Sequence, residues 1–175
     1  MLSDCRNLPV QSSDDATLRA LAESVGEMLR ERGQVLATAE SCTGGWIAKL
    51  LTDIAGSSGW FEGAAVAYSN DAKQALLGVA PETLKRHGAV SRQTAVEMVS
   101  GVVTGFGASV AVAVTGIAGP AGGTKDKPVG TVWIAWQRRG GEARAEEFHF
   151  KGDRDAVRRR TVAAAFRGIE RILVS

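Results

Sequence analysis

At 175 residues the chain fits one domain, long enough to bury roughly two-thirds of its unfolded surface without disulfide staples. Hydrophobic residues at 45% and charged residues at 23% exclude the disordered, fibrous and disulfide-rich classes. With 21 Lys and Arg against 19 Asp and Glu, the net charge of +2 supplies no long-range field to steer a polyanion, which argues against a dedicated nucleic-acid binder.

Residues 1–12 are polar and aperiodic and read as a disordered lead-in, with a single domain over 13–175. They carry neither a basic n-region nor an apolar core, so no signal peptide is predicted and a cytoplasmic location is expected. Ser13, followed by Asp14 and Asp15, is predicted to cap a helix whose apolar stripe runs through Leu18, Leu21, Val25, Met28 and Leu29 to Gly33. Gln34 to Ala39 reads as a strand that turns through Glu40-Ser41-Cys42-Thr43-Gly44-Gly45 into a helix carrying Trp46, Ile47, Leu50, Leu51 and Ile54. Trp60 to Tyr68 reads as a second, mostly buried strand. Ser69-Asn70-Asp71 caps a short helix with Lys73, Pro81 opens another that Gly88 closes, and Ser91 caps a longer one ending at Gly107. A third strand spans Ser109 to Thr115, and a glycine-rich loop follows over 116–130.

Two strands, Thr131 to Gln137 and Ala143 to Phe150, form a predicted hairpin through Arg139-Gly140-Gly141-Glu142. A last helix has Val157, Thr161, Ala164, Ala165, Ile169, Ile172 and Leu173 on its buried stripe. Met98 to Thr124 is uncharged and long enough to span a bilayer, yet its glycines and Pro120 break it, so it reads as protein core and no membrane association is expected. The fold class that follows is α/β: a three-layer α/β/α arrangement with a mixed central sheet and helices on both faces.

In such a sheet ligands gather at the carboxyl ends of the strands. Three loops qualify: Glu40 to Gly45, Tyr68 to Lys73, and Thr115-Gly116-Ile117-Ala118-Gly119-Pro120. In the first, Ser41 sits on a sharp turn before glycines, the logic of a nucleophile elbow, although Gly-x-Ser-x-Gly is not matched. The bland alternative is that Ser41 is a helix cap. His87 and His149 lie away from all three loops, which makes Lys73 the better base, as in Ser-Lys variants of the triad. An unperturbed lysine is only about 0.04% neutral at pH 7, so it must be desolvated to serve. Tyr68 and Thr115 are candidates to assist, or a solvated aromatic and a turn cap. Cys42 competes with Ser41 as nucleophile, or is a small buried thiol.

Cys5 and Cys42 are too few for a disulfide framework and lack metal-ligand spacing with either histidine, so no metal is expected. The 116–130 loop matches neither phosphate-loop pattern but can cradle an anion, and Arg154, after Lys151-Gly152-Asp153 at a helix start, can present a fork to phosphate. Residues 151–160 hold five basic and two acidic side chains, read as surface or as a modest nucleic-acid patch.

Taken together, Ala39-Glu40-Ser41-Cys42-Thr43-Gly44-Gly45, Tyr68-Ser69-Asn70-Asp71-Ala72-Lys73, Gly88-Ala89-Val90-Ser91, Thr115-Gly116-Ile117-Ala118-Gly119-Pro120 and Lys127-Pro128-Val129-Gly130-Thr131-Val132 resemble the CinA C-terminal domain family in order and spacing, across roughly residues 16 to 173. Several members are nicotinamide-nucleotide amidases of pyridine nucleotide salvage, which convert nicotinamide mononucleotide to nicotinic acid mononucleotide and ammonia. The resemblance implies a Ser-Lys acyl-enzyme mechanism with Ser41 as nucleophile, Lys73 as base, Tyr68 and Thr115 assisting, and N–H groups of Thr43, Gly44 and Gly45 holding the oxyanion. It implies a pocket wall from Gly116, Gly119, Gly122 and Gly123, Arg154 on the substrate, no metal or organic cofactor, and at least a homodimer. It also implies a stand-alone form, without the larger domain and pyrophosphatase activity of full-length relatives. Ala121 and Lys125 depart from the family pattern of glycine and an acidic residue there, which bears on substrate affinity and not on the catalytic set. Other readings are a non-catalytic competence or DNA-damage-associated module, and deamidation of a different pyridine or purine amide.

Overall fold

Valine and alanine alternate along the strand at the centre of the molecule, Val110-Ala111-Val112-Ala113-Val114, and a strand sends successive side chains to opposite faces. One face of the sheet is therefore bulky and the other is small. Residues 13–174 are described by the structure, a computed structural model, and the predicted lead-in over 1–12 lies outside them. Five strands, β1 (Leu36–Glu40), β2 (Phe61–Val66), β3 (Val110–Gly116), β4 (Thr131–Arg138) and β5 (Arg144–His149), form one sheet in the order β2-β1-β3-β4-β5. β2, β1 and β3 run parallel, and β4 and β5 are antiparallel additions, so the sheet is mixed.

Six α-helices of the described residues cover it: α1 (Asp15–Glu31), α2 (Trp46–Thr52), α3 (Asn70–Leu77), α4 (Pro81–His87), α5 (Arg92–Phe106) and α6 (Arg154–Val174). The bulky face, with Leu36, Val110, Val112, Val114, Ile134 and Trp136, packs against α1, α2 and α6. The small face, with Ala37, Ala39, Ala65, Ala111, Ala113 and Ala135, packs against α5, with α3 and α4 beside it. Both cores are thus filled by period-2 strands meeting helical stripes, and the three-layer α/β/α arrangement with helices on both faces follows. The helix and strand parts of the uncharged stretch over 98–124 supply this interior, with Met98, Val99, Val102 and Val110 to Val114 fully buried, while residues 120–124 are exposed. No helix of the described residues is long and apolar enough to cross a membrane.

Two expectations need correction. The cap of α1 is Asp14, whose carboxylate accepts from Thr17 N at 2.8 Å, and not Ser13; an acid there also meets the helix dipole. The second strand is shorter than Trp60 to Tyr68 and half-exposed, because β2 is the sheet's outer strand with β1 on one side only. Ser69 and Ser91 cap α3 and α5 as predicted, each accepting from the N–H three residues on.

Candidate active site

Neighbouring parallel strands end on the same side, so the turns after β2, β1 and β3 converge at one edge of the sheet. After β1 the chain turns sharply: Ser41 N donates to Val114 O at 3.1 Å, and Gly44 N donates back to Ser41 O at 3.0 Å. Gly44 and Gly45 follow with φ of 62° and 90°, left-handed values that only glycine adopts without strain. Ser41 does not cap α2; the cap position is Gly45, which has no side chain to offer. The capping falls to Glu40, fully buried, whose carboxylate accepts from Ile47 N at 3.1 Å and Ala48 N at 2.9 Å. It also accepts from Thr43 Oγ1 at 2.7 Å and Thr38 Oγ1 at 3.4 Å. One acid therefore fixes both the turn and the helix start, a role the sequence reading did not assign to it.

The structure brings Lys73 to Ser41. Lys73 is 1% exposed, and its Nζ lies 3.0 Å from Ser41 Oγ, 2.9 Å from Ala67 O and 3.4 Å from Tyr68 O. Burial lowers its pKa below the usual 10.5, the direction a base requires. Ser41 Oγ and the two backbone carbonyls are thus the three hydrogen-bond partners of Nζ. Cys42 meets the opposite fate. Burial pushes its thiol up to about 12, which leaves it protonated and poorly nucleophilic at neutral pH.

The side chains of Thr115, Tyr68 and Arg154 sit around this pair without a hydrogen bond to it. Thr115, 1% exposed at the end of β3, donates its hydroxyl to Ala89 O at 2.8 Å and so ties the Gly88-to-Ser91 turn to the site edge. Tyr68 is 62% exposed; its phenol oxygen accepts from Arg154 Nη2 at 2.9 Å, and only its backbone carbonyl reaches Lys73. Arg154 also donates to Gly119 O at 2.8 Å through Nη1, and so bridges the second and third loops. In the third loop a side chain at Gly116 would strike Val132, and one at Gly119 or Gly123 would strike Val129; these glycines let the loop fold on itself. Gly122 has Ile117 as its neighbour. Ala121 and Lys125, the two departures, are exposed on this loop. His87 contributes its backbone carbonyl to Lys127, and His149 its ring to Glu147 and Thr131, so neither ring approaches Ser41.

A mixed five-stranded sheet between two helix layers, with Ser41 and the buried Lys73 in contact at its carboxyl edge, places the molecule in the α/β class. The chain belongs to the CinA C-terminal domain family, whose model matches residues 18–173. It is 54% identical over 151 residues to the nicotinamide-nucleotide amidohydrolase PncC of Escherichia coli strain K12, covering 86% of this chain and 92% of that protein. Among solved structures it resembles the competence/damage inducible protein CihA of Agrobacterium tumefaciens, with 44% identity, a TM-score of 0.88, and 91% and 96% of the two chains covered. A competence-damaged protein (CinA) superfamily member from Klebsiella pneumoniae 700603 matches at 39% identity and a TM-score of 0.86, over 90% of this chain and 98% of that one.

Proposed function

We propose that this chain hydrolyses nicotinamide mononucleotide to nicotinic acid mononucleotide and ammonia through an acyl-enzyme on Ser41. The observation that carries the reading is the 3.0 Å contact between a desolvated Lys73 Nζ and Ser41 Oγ, in a chain 54% identical to a protein named for that activity. Ser41 Oγ attacks the carboxamide carbon while Lys73 Nζ takes its proton. The tetrahedral oxyanion then collapses with cleavage of the C–N bond, and Lys73 returns the proton to the departing nitrogen as ammonia. Water, deprotonated by the same amine, releases the acid and restores Ser41.

Of the three predicted oxyanion donors, Gly44 N is already engaged by Ser41 O, so the role falls to the N–H groups of Thr43 and Gly45. Thr115 has given its proton to Ala89 O, so its oxygen can accept from the substrate amide or the leaving ammonia. Arg154, exposed and held between Tyr68 and Gly119, is suited to a substrate phosphate. Gly116, Gly119, Gly122 and Gly123 would form the wall opposite Ser41. The resemblance adds assembly into at least a homodimer, a cytoplasmic place in pyridine nucleotide salvage, and no metal or organic cofactor.

Ammonia release from nicotinamide mononucleotide by the purified protein tests the reading. Release is expected from wild type and from Cys42→Ala, and its loss by at least about 10³-fold is expected in Ser41→Ala and Lys73→Ala. An inactive wild type with that substrate, or a Ser41→Ala variant at full rate, overturns it.

A further inference from the structure

The basic run at the start of α6 is left unassigned by the chemistry of Ser41 and Lys73. Within it Arg158 turns two of its three guanidinium nitrogens to the turn that carries Ser41: Nε donates to Cys42 O at 3.2 Å and Nη2 to Thr43 O at 2.8 Å. Its guanidinium also lies over the Trp46 ring at 5.0 Å, at the first position of α2.

A trans peptide points its C=O and its N–H in opposite directions. The carbonyl of Cys42 belongs to the same peptide unit as the N–H of Thr43, so by holding Cys42 O toward α6, Arg158 turns the Thr43 N–H away from α6. The face opposite α6 is the one on which α3 delivers Lys73 to Ser41, because α6 packs on the bulky side of the sheet and α3 beside α5 on the small side. The neighbouring unit is oriented in the same sense: its carbonyl, Thr43 O, meets Arg158, and its N–H, on Gly44, meets Ser41 O. A cation on the carbonyl also polarises the peptide and strengthens its N–H as a donor.

We propose that Arg158 is a positioning residue of the oxyanion hole, which aims and polarises the Thr43 N–H toward the oxyanion that forms when Ser41 attacks. This rests on Ser41 being the nucleophile, as proposed above, and does not depend on which amide is the substrate. Arg158 touches no reacting atom, so its removal acts on the transition state through the turn and not on ground-state binding.

The experiment compares wild type, Arg158→Lys, Arg158→Ala and Arg159→Gln in two assays. One is ammonia release from nicotinamide mononucleotide, resolved into kcat and KM. The other is the rate at which a fluorophosphonate probe labels Ser41, which forms an O–P bond, expels fluoride and places the phosphoryl oxygen in the oxyanion hole. Arg159→Gln controls for packing, because Arg159 faces the same Trp46 ring but pairs with Asp15 and Asp155 and contacts no carbonyl of the turn. For Arg158→Ala we expect kcat and the labelling rate to fall together by about 10- to 100-fold with KM within about threefold, and added guanidinium ion to restore part of both. Arg158→Lys, with a charge but no fork, should lie between and keeps the comparison if the alanine variant does not fold.

The proposal is overturned if a folded Arg158 variant labels at the wild-type rate, if its loss appears in KM alone, or if Arg159→Gln loses as much. A wild type that is labelled at Ser41 yet releases no ammonia overturns the choice of substrate and leaves the Arg158 test intact. A wild type that neither turns over nor is labelled overturns both.

Discussion

Three acceptors surround Lys73 Nζ, and an ammonium has three hydrogens to give, so the buried cation is hydrogen-bonded even though it is cut off from water. Desolvation still disfavours its charged form and holds its pKa below 10.5. Two consequences follow, one for rate and one for stability. As the proposed base Lys73 must be neutral, so kcat/KM for ammonia release should climb about tenfold per pH unit below the Lys73 pKa and level off above it. A profile flat across that range would remove Lys73 as the base. On the stability side, the unfolded chain regains a lysine of ordinary pKa and binds more protons than the folded one between the two values. Stability therefore rises with pH in that window, and the full penalty of burying the ammonium is present below the folded pKa. Lys73→Met removes this term. The difference in Tm between Lys73→Met and wild type should shrink as pH approaches 10.5, followed by calorimetry; a difference independent of pH would show that Lys73 is not desolvated. Cys42, whose pKa is raised to about 12, contributes the opposite slope above 9.0, but it is common to both proteins and cancels in the comparison.

At the scale of elements, the position of Lys73 depends on how closely α3 approaches α5. Gly101, on α5, makes that approach possible: a Cβ there would overlap the backbone carbonyl of Leu77, the last residue of α3, and a carbonyl cannot swing aside as a side chain can. Gly101→Ala should therefore push α3 outward, at a cost of about 1–3 kcal/mol in denaturant unfolding, and reduce ammonia release more than stability alone accounts for. An alanine variant with unchanged stability and unchanged kcat would show that the crossing has slack. The helices were legible because their signals are local: Ser69 and Ser91 cap, Gly88 and Gly107 terminate, and apolar residues recur at helical spacing. The miss at Ser13 is a one-residue shift among three adjacent capping residues. β2 was misjudged for a different reason, since Phe61-Glu62-Gly63-Ala64-Ala65-Val66 carries no mark of being outermost; that is decided by which strands pair, a long-range property. Ser41 and Lys73 could be paired in advance because strand-end loops converge by topology. Glu40 could not be assigned, because it caps α2 from seven and eight residues upstream, beyond the span of a capping-box pattern.

The whole molecule closes its site late in the chain, since Arg154 and Arg158 on the last helix reach loops more than 80 residues earlier. This long-range use also decides what the basic stretch over 151–160 can do. Read linearly it is a run of cations open to a phosphate backbone. Folded, Arg158 is bonded to the carbonyls of Cys42 and Thr43, Arg159 to Asp15 and Asp155, Arg160 to Lys151 O, and Arg154 to Gly119 O and Tyr68. Arg154 and Arg158 point at the edge of the site, Arg160 bonds a carbonyl just before α6, and the carboxylates on Arg159 cancel its field. A net charge of +2 adds no long-range field to compensate. A protein that neutralises several phosphates loses affinity steeply with salt, as counterions return to the nucleic acid. Titration of duplex and single-stranded DNA with this protein should accordingly show no binding whose affinity falls with salt, from low ionic strength to the physiological range. Arg160→Gln should change nothing in that titration. Salt-steep binding that Arg160→Gln weakens would mean that the run acts outward, and would restore the nucleic-acid module as a reading of this fold alongside the chemistry proposed at Ser41.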